Sequence, residues 1–318
     1  MLKIIKKFPK VKSRCICRAG AATTRQDLRV PCHVSKNYLD RRRDDVYIEI
    51  PLLTMPRKTF KFESPDHKAG YVREMFNRIA PRYDRMNRLM TFGRDQSWRR
   101  RAVRHAGIQP GAWVLDVATG TADLAFAARE ARAGMIVAAD FSYTMLKYAR
   151  LKIQPWNQKR VKEAPIHLVN ADGLHLPFPN NAFDAAVTAF SLRNVGDLNV
   201  FLKEMIRVVR PGGKVVCLEI TRPRHPKFRS FFSWYFGKVV PKIGGWISGN
   251  PEAYSYLPFS VSIFLTPEEL RVRLEDAGLN NVGFETLMFG TVAIHWGTKL
   301  RTANFSTKSK QNQPPMGI

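Results

Sequence analysis

Cysteines, acids and long apolar runs are scarce in this chain. The four cysteines among 318 residues, Cys15, Cys17, Cys32 and Cys217, show neither a zinc-ligand spacing nor a secreted disulfide framework. The chain therefore reads as reduced and intracellular, without a metal site. No apolar stretch reaches the roughly 18 residues that a transmembrane helix needs, so the expectation is a soluble or peripheral protein. Acids number 26 against 52 Lys and Arg, a net charge of +26. That excess favours polyanionic partners, either nucleic acid or an anionic lipid surface. Part of it sits at the ends: residues 1–26 carry eight basic residues and no acid, and residues 299–318 carry four basic residues and no acid. A soluble protein with basic ends has the same composition. RNA-recognition signatures are missing, so no specific nucleic acid is expected.

Residues 1–54 have no sustained helical or strand period and read as a disordered or spurious extension, with Met55 as a second start point. Their Arg-rich, acid-free beginning resembles an organellar transit peptide, but Asp27, Asp40, Asp44, Asp45 and Glu49 depart from that pattern. A cytoplasmic protein is expected, with an organellar matrix as the alternative if this segment is a leader. A domain over 55–300 and a disordered tail over 301–318 complete the layout. From Gly70 a helical period runs to Pro81, and a basic helix follows over Trp98–His105. Strands near 112–117, 135–139, 165–169, 183–189 and 214–220 then alternate with helices over 122–132, 143–152 and 198–209. Arg210-Pro211-Gly212-Gly213 is a sharp helix stop. Such alternation specifies an α/β fold with a doubly wound parallel sheet. Thr266-Pro267-Glu268-Glu269 carries a capping box, and two antiparallel strands near 281–288 and 291–298 close the domain. Between them and the alternation, residues 228–265 form an insertion with eleven aromatics. It suits either packing over the sheet or an apolar ligand site.

The chemistry concentrates in Val114-Leu115-Asp116-Val117-Ala118-Thr119-Gly120-Thr121-Ala122-Asp123. An apolar strand ends in an acid and a small-residue turn opens a helix, the arrangement that places ligands at the carboxyl edge of a parallel sheet. Asp140 ends the second strand, where an acid suits the two hydroxyls of a ribose. Gly-x-Gly-x-x-Gly is absent, which disfavours a pyrophosphate cofactor and leaves a nucleoside such as S-adenosylmethionine.

Three further islands go beyond a generic cofactor fold: Phe76-Asn77-Arg78-Ile79-Ala80-Pro81-Arg82-Tyr83-Asp84-Arg85-Met86-Asn87, the acid Asp140, and Phe190-Ser191-Leu192-Arg193-Asn194-Val195. Together with the turn they resemble the ubiquinone/menaquinone C-methyltransferase family over residues 70 to 299. The resemblance implies a Rossmann-like class I methyltransferase, a seven-stranded mostly parallel sheet with helices on both faces. It implies S-adenosylmethionine held by Asp116, Thr119, Gly120, Thr121 and Asp140, with Asp172 and Gly173 beside the adenine. Ala122 stands where the family usually has Gly, so its methyl is expected to crowd the cofactor, and Ala189 stands where some relatives have Ser. The implied reaction is C-methylation of a polyprenylated quinol, demethylmenaquinol first and the benzoquinol of ubiquinone synthesis second, on an anionic membrane surface. A methyltransferase fold that binds nucleic acid, or a scaffold without turnover, are the other classes.

A carbon acceptor must be electron-rich, and a phenol becomes more so when deprotonated. A cation beside its oxygen favours that state. Arg193 is the candidate for this role, because a guanidinium stays charged and accepts protons poorly. Asn194 would orient the second ring oxygen, and Tyr83 with Asn87 the ring. The rival roles are an ion pair for Arg193, helix packing for Tyr83, and capping or pairing for Asp84. His295 reads as a buried ring satisfied by backbone.

Overall fold

Short apolar runs bounded by turn residues become the strands of one seven-stranded sheet. They are β1 (Trp113–Val117), β2 (Met135–Asp140), β3 (Ile166–Asn170), β4 (Phe183–Ala189), β5 (Val209–Ile220), β6 (Leu279–Leu287) and β7 (Val292–Lys299). The computed structural model describes residues 60–159, 164–223, 226–242 and 251–301, so the expectations for residues 1–54 and for 302–318 lie outside them. The spatial order is β3-β2-β1-β4-β5-β7-β6. Pairs from β3 through β5 are parallel, and β7 runs antiparallel to both β5 and β6. The expected α/β doubly wound sheet and its antiparallel closing pair are both present. From β1 the chain winds outward to β3, then returns to add β4 and β5 on the other side. The carboxyl ends of β1 and β4 therefore flank the crevice where such sheets bind ligands.

Side chains alternate along each buried strand, and so the sheet carries two cores. Val114, Ile136, Ala185 and Val216 face α3 (Arg94–Ala106), α4 (Asp123–Glu130) and α5 (Tyr143–Lys159). Leu115, Val137, Ala186 and Val215 face α6 (Leu198–Val208) and α9 (Pro267–Asp276), whose Phe201, Leu202, Leu270 and Leu274 are wholly buried. Truncating such a side chain costs about 2–5 kcal/mol.

Several boundaries differ from the periodicity. The first helix, α1 (Pro65–Ile79), starts five residues before Gly70: Ser64 caps it, its Oγ accepting from the His67 N–H at 3.1 Å. α2 (Tyr83–Thr91) follows after a 3₁₀ turn, and α3 begins before Trp98. α5 continues through Pro155 to Lys159 rather than ending at 152. α6 ends at Val208 as the Arg-Pro-Gly-Gly stop requires, but the stop itself lies within β5, as an irregularity in its pairing with β4. Lys299 closes that corner: its ammonium donates to Asn181 Oδ1 and to the carbonyls of Ile206, Arg207 and Val209, capping the α6 C-terminus.

A third cluster lies over the carboxyl edge. There α1, α2 and the start of α5 pack against the π-helical turn Tyr235–Val239, which continues α7 (Pro226–Trp234), and against α8 (Pro251–Ile263). Phe60, Tyr71, Tyr256 and Phe259 interlock with ring centroids 5.2 to 6.3 Å apart. The aromatic insertion thus packs and also roofs the crevice.

Candidate active site

Two adjoining cavities open at the carboxyl edge. The smaller, about 130 Å³, lies over β1 and β2 and is lined by Gly120, Asp140, Phe141, Met145, Asp172, Gly173 and their neighbours. The larger, about 240 Å³, lies under the aromatic roof. Phe76, Tyr83, Phe190 and Asn194 line both.

The small cavity is shaped by the turn after β1. Ala118, Gly120 and Ala122 all take left-handed conformations, with φ of 57°, 57° and 69°. Three such residues in five fold the turn tightly and aim the Gly120 N–H at the next strand. Asp140 receives it: Oδ2 accepts from Gly120 N and Oδ1 from Ser142 N, each at 2.8 Å. Each carboxylate oxygen keeps a lone pair, so the side chain is held in place and still able to accept from a diol. Burial pushes its carboxyl up to about 6, against those two hydrogen bonds. Asp172 contributes a second, exposed carboxylate whose Oδ1 caps the Leu174 N–H. At Gly173 a Cβ would meet the Phe201 ring at 2.4 Å, so only glycine lets this loop rest on α6.

Three of the expected cofactor residues do not line the cavity. Asp116 lies wholly buried beneath the turn, where its Oδ2 accepts from Thr119 Oγ1 at 2.6 Å and its Oδ1 has no partner. Burial raises that carboxyl to about 7. Thr121 turns away and donates to Asp84 Oδ1 of α2. Asp116 and Thr119 therefore brace the turn, and Thr121 ties it to α2. Ala122 is also corrected: its methyl is packed in the sheet core, away from the cavity. A glycine there would relieve the left-handed backbone, not a clash with a ligand. Ala189 lines the cavity without a hydroxyl.

Arg193, Asn194 and Tyr83 converge on the larger cavity. Glu219, wholly buried on β5, sets the guanidinium: Arg193 Nη1 donates to Glu219 Oε1 and to the Phe190 carbonyl, while Nε is buried without a partner. The ion-pair role is thus present, and the unpartnered Nε leaves one donor for a ligand. Asn194 Nδ2 donates to the Phe190 carbonyl at 3.2 Å and its buried Oδ1 has no partner. Burial holds the Tyr83 phenol protonated, against the charges of Arg99 and Arg193. The turn bearing Arg193 is fixed from above by Lys68 of α1, whose ammonium donates to the carbonyls of Arg193 and Val195. Asp84 pairs with Lys152 as well as Thr121, as its structural reading requires.

Sequence reasoning missed Glu219, Lys68 and Asp95, a wholly buried carboxylate in the larger cavity. Glu219 is the one acid of the strand expected over 214–220 and belongs to none of the motifs. Asp95 was detectable as a lone acid beginning a helix that contains Arg94, Arg99, Arg100, Arg101 and Arg104. His295 is as expected: its Nε2 meets the Pro267 carbonyl at 2.9 Å, and burial lowers it to about 4, so the ring is neutral.

A rigid diol acceptor at the end of β2, a tight turn after β1, a second carboxylate for an amino group and an apolar ledge fit S-adenosylmethionine. Fold and site define an S-adenosylmethionine-dependent methyltransferase of Rossmann-like class I. A SAM-dependent methyltransferase of Thermotoga maritima, described as a possible histamine N-methyltransferase, shares the fold with a TM-score of 0.50 at 16% identity, over 72% of this chain and 99% of that one. Residues 64–299 match the ubiE/COQ5 methyltransferase family, and the chain belongs to it. It is similar to the demethylmenaquinone methyltransferase of Thermus thermophilus, 45% identical over 226 residues, 71% of this chain and all of that protein. It is also similar to the ubiquinone/menaquinone biosynthesis C-methyltransferase of Shewanella woodyi, 37% identical over 76% of this chain and 95% of that protein.

Proposed function

We propose that the protein transfers a methyl group to a ring carbon of demethylmenaquinol, giving menaquinol. The carrying observation is the junction of the two cavities, where Tyr83, Asn194 and Phe190 face both. The larger cavity is walled by aromatic and aliphatic side chains with a few inward polar atoms, which suits a naphthoquinol head and the start of a prenyl chain. Relatives with the demethylmenaquinone name support this acceptor over the benzoquinol of ubiquinone synthesis, which the Shewanella woodyi relative's name keeps as the second reading.

When bound, S-adenosylmethionine supplies an electrophilic methyl on its sulfonium. The protein aligns and desolvates: Asp140 fixes the nucleoside, while Phe76 and Phe190 exclude water at the junction. The Arg193 Nε donor and the Tyr83 hydroxyl would stabilise the charge that develops on the ring oxygen, and Asn194 Oδ1 would accept from the second hydroxyl. The acceptor and the basic charge together favour a peripheral position on an anionic membrane in the cytoplasm. Among the described residues no helix is long and apolar enough to cross one.

An electron-poor quinone ring cannot attack a methyl cation equivalent, so the substrate must be the reduced quinol. A short-chain demethylmenaquinone kept reduced with dithionite should be methylated, and the same compound left oxidised should give almost no product. Turnover that ignores the redox state would end the carbon-nucleophile reading.

A further inference from the structure

The helix over the smaller cavity is tied to the rim of the sheet at both of its ends. Pro65, Ala69, Val72 and Phe76 of α1 line that cavity together with Asp140 and Asn194. A nucleoside held by Asp140 therefore lies against α1. Toward the C-terminal end of the helix, Asn77 Oδ1 accepts from Ser142 Oγ at 2.6 Å, and Ser142 N donates to Asp140. Val72, Met75 and Ile79 bury that half of the helix in the third cluster.

The first turn is held far more lightly. Pro65, Asp66 and His67 are exposed, and the Lys68 ammonium donates to the Arg193 and Val195 carbonyls at 3.1 and 2.8 Å. Burial at this contact lowers the Lys68 ammonium from the ordinary lysine value, so the carbonyls stand in for lost water. Pro65 also rests on Gly196, where a Cβ would meet the Pro65 carbonyl oxygen at 3.2 Å.

The two carbonyls flank Asn194, which lines both cavities, and belong to the turn that carries Arg193 into the larger one. A shift of the first turn of α1 is therefore felt in the acceptor cavity. We propose that this first turn is a closing cover for the cofactor, that Lys68 is its latch, and that the latch makes cofactor and acceptor bind cooperatively. The assignment rests on the quinol reading above. Lys68 lines neither cavity, so it acts through the turn as a positioning residue.

Opening the first turn of the empty protein gives up two hydrogen bonds and little apolar burial, so the open and closed forms lie close in free energy. A bound nucleoside adds contacts with Pro65 and Ala69 that exist only in the closed form. It shifts the population toward the latched state by that difference. The latched turn is already ordered when the acceptor arrives, and the acceptor no longer has to order it. Glu219 fixes the Arg193 guanidinium from below. The coupling therefore acts mainly on Asn194 and on the backbone between the two carbonyls.

S-adenosylhomocysteine has no methyl to transfer, so the quinol can be titrated against its complex without turnover. Anaerobic calorimetry would use a short-chain demethylmenaquinol kept reduced by dithionite. Saturating S-adenosylhomocysteine should tighten its binding at least fivefold, within the roughly 5–150-fold range of coupled sites. Reciprocity requires the quinol to tighten S-adenosylhomocysteine by the same factor. K68M should cut the factor below twofold, and K68R, which can still donate to both carbonyls, should keep at least threefold. A lysine that only props the fold would lower the melting temperature of K68M and leave the ratio untouched, which overturns the proposal. A K68R variant as uncoupled as K68M overturns it too. Should K68M melt below the assay temperature, G196A loosens the same contact from the other side, because its Cβ must push Pro65 away. The factor should then fall at least twofold, and an unchanged factor overturns the latch. Wild type that binds neither this naphthoquinol nor a benzoquinol defeats the acceptor reading itself, whereas wild type that binds the quinol without coupling defeats only the latch.

Discussion

Asp140 offers a direct test at the level of one side chain, because its carboxyl is raised to about 6 in the free protein. Ribose hydroxyls donate best to the ionised form, so nucleoside binding must release a proton wherever Asp140 begins protonated. Affinity for S-adenosylhomocysteine should therefore climb between pH 5 and 6, by up to about tenfold per unit, and level off by pH 7. Asp140→Asn should flatten that slope, and calorimetry across this range checks both. Asp140 was legible in the sequence because it ends an apolar run at a fixed topological place. Arg193 was only half legible, since its partner Glu219 is remote in sequence and hidden in β5. That pairing changes how it should be mutated: Arg193→Ala strands a buried carboxylate, which costs about 3–5 kcal/mol. The informative variant pairs Arg193→Met with Glu219→Gln. It should melt closer to wild type than Arg193→Ala does, yet lose turnover by about 2.7–4 kcal/mol if Nε stabilises the ring oxygen. Recovery of both properties together would mean that Arg193 serves the fold alone.

Between elements, the decisive link joins α2 to the turn after β1. Asp84 accepts from Thr121 Oγ1 and from the Lys152 ammonium, and so couples the helix bearing Tyr83 and Asn87 to the cofactor turn. Asp84→Asn and Thr121→Val should each destabilise by about 1–3 kcal/mol in urea. In a double-mutant cycle they should be non-additive by about 0.5–3 kcal/mol, as for residues in one hydrogen-bond network. Strict additivity would show that the two side chains act independently. None of this follows from periodicity, which sees an acid in a polar helix and a threonine in a turn. The strands were easier: β1, β2, β4 and β5 are short β-branched and small apolar runs with charged or turn residues at their ends. α1 was read late because its first turn, with Asp66, His67 and Lys68, lacks apolar spacing. Lys68 is polar for a tertiary reason, the carbonyls of Arg193 and Val195. α5 was cut short because Pro155 stands inside the helix. Losing one hydrogen bond there is tolerated while Ile153 stays buried in the sheet core.

At the level of the whole molecule, the proposed anionic membrane surface would engage both the basic charge and the aromatic roof. Phe92, Phe231, Trp234 and Phe289 are 78%, 54%, 52% and 75% exposed. The first two line the larger cavity, and the Phe228 ring lies 4.8 Å from Phe289 and 5.9 Å from Phe231. Aromatic rings at a cavity mouth suit a lipid interface, where one side is apolar and the other wet. Residues 1–54 hold 13 Lys and Arg against 5 acids, so the remainder keeps 39 against 21. The basic excess therefore survives removal of the extension. The Thermus thermophilus relative is matched over its full length by 226 residues of this chain. A chain starting at Met55 should keep the full-length melting temperature, turnover and vesicle binding. Co-sedimentation should be strong with vesicles containing anionic phospholipid and weak with zwitterionic vesicles. It should fall as salt rises from 0.1 to 1 M, where the screening length drops from about 10 to about 3 Å. Substituting Phe231 and Trp234 by serine should reduce the salt-resistant remainder while leaving S-adenosylhomocysteine affinity unchanged. Equal binding to both vesicle types would remove charge as the attraction, and loss of binding on truncation alone would assign it to residues 1–54.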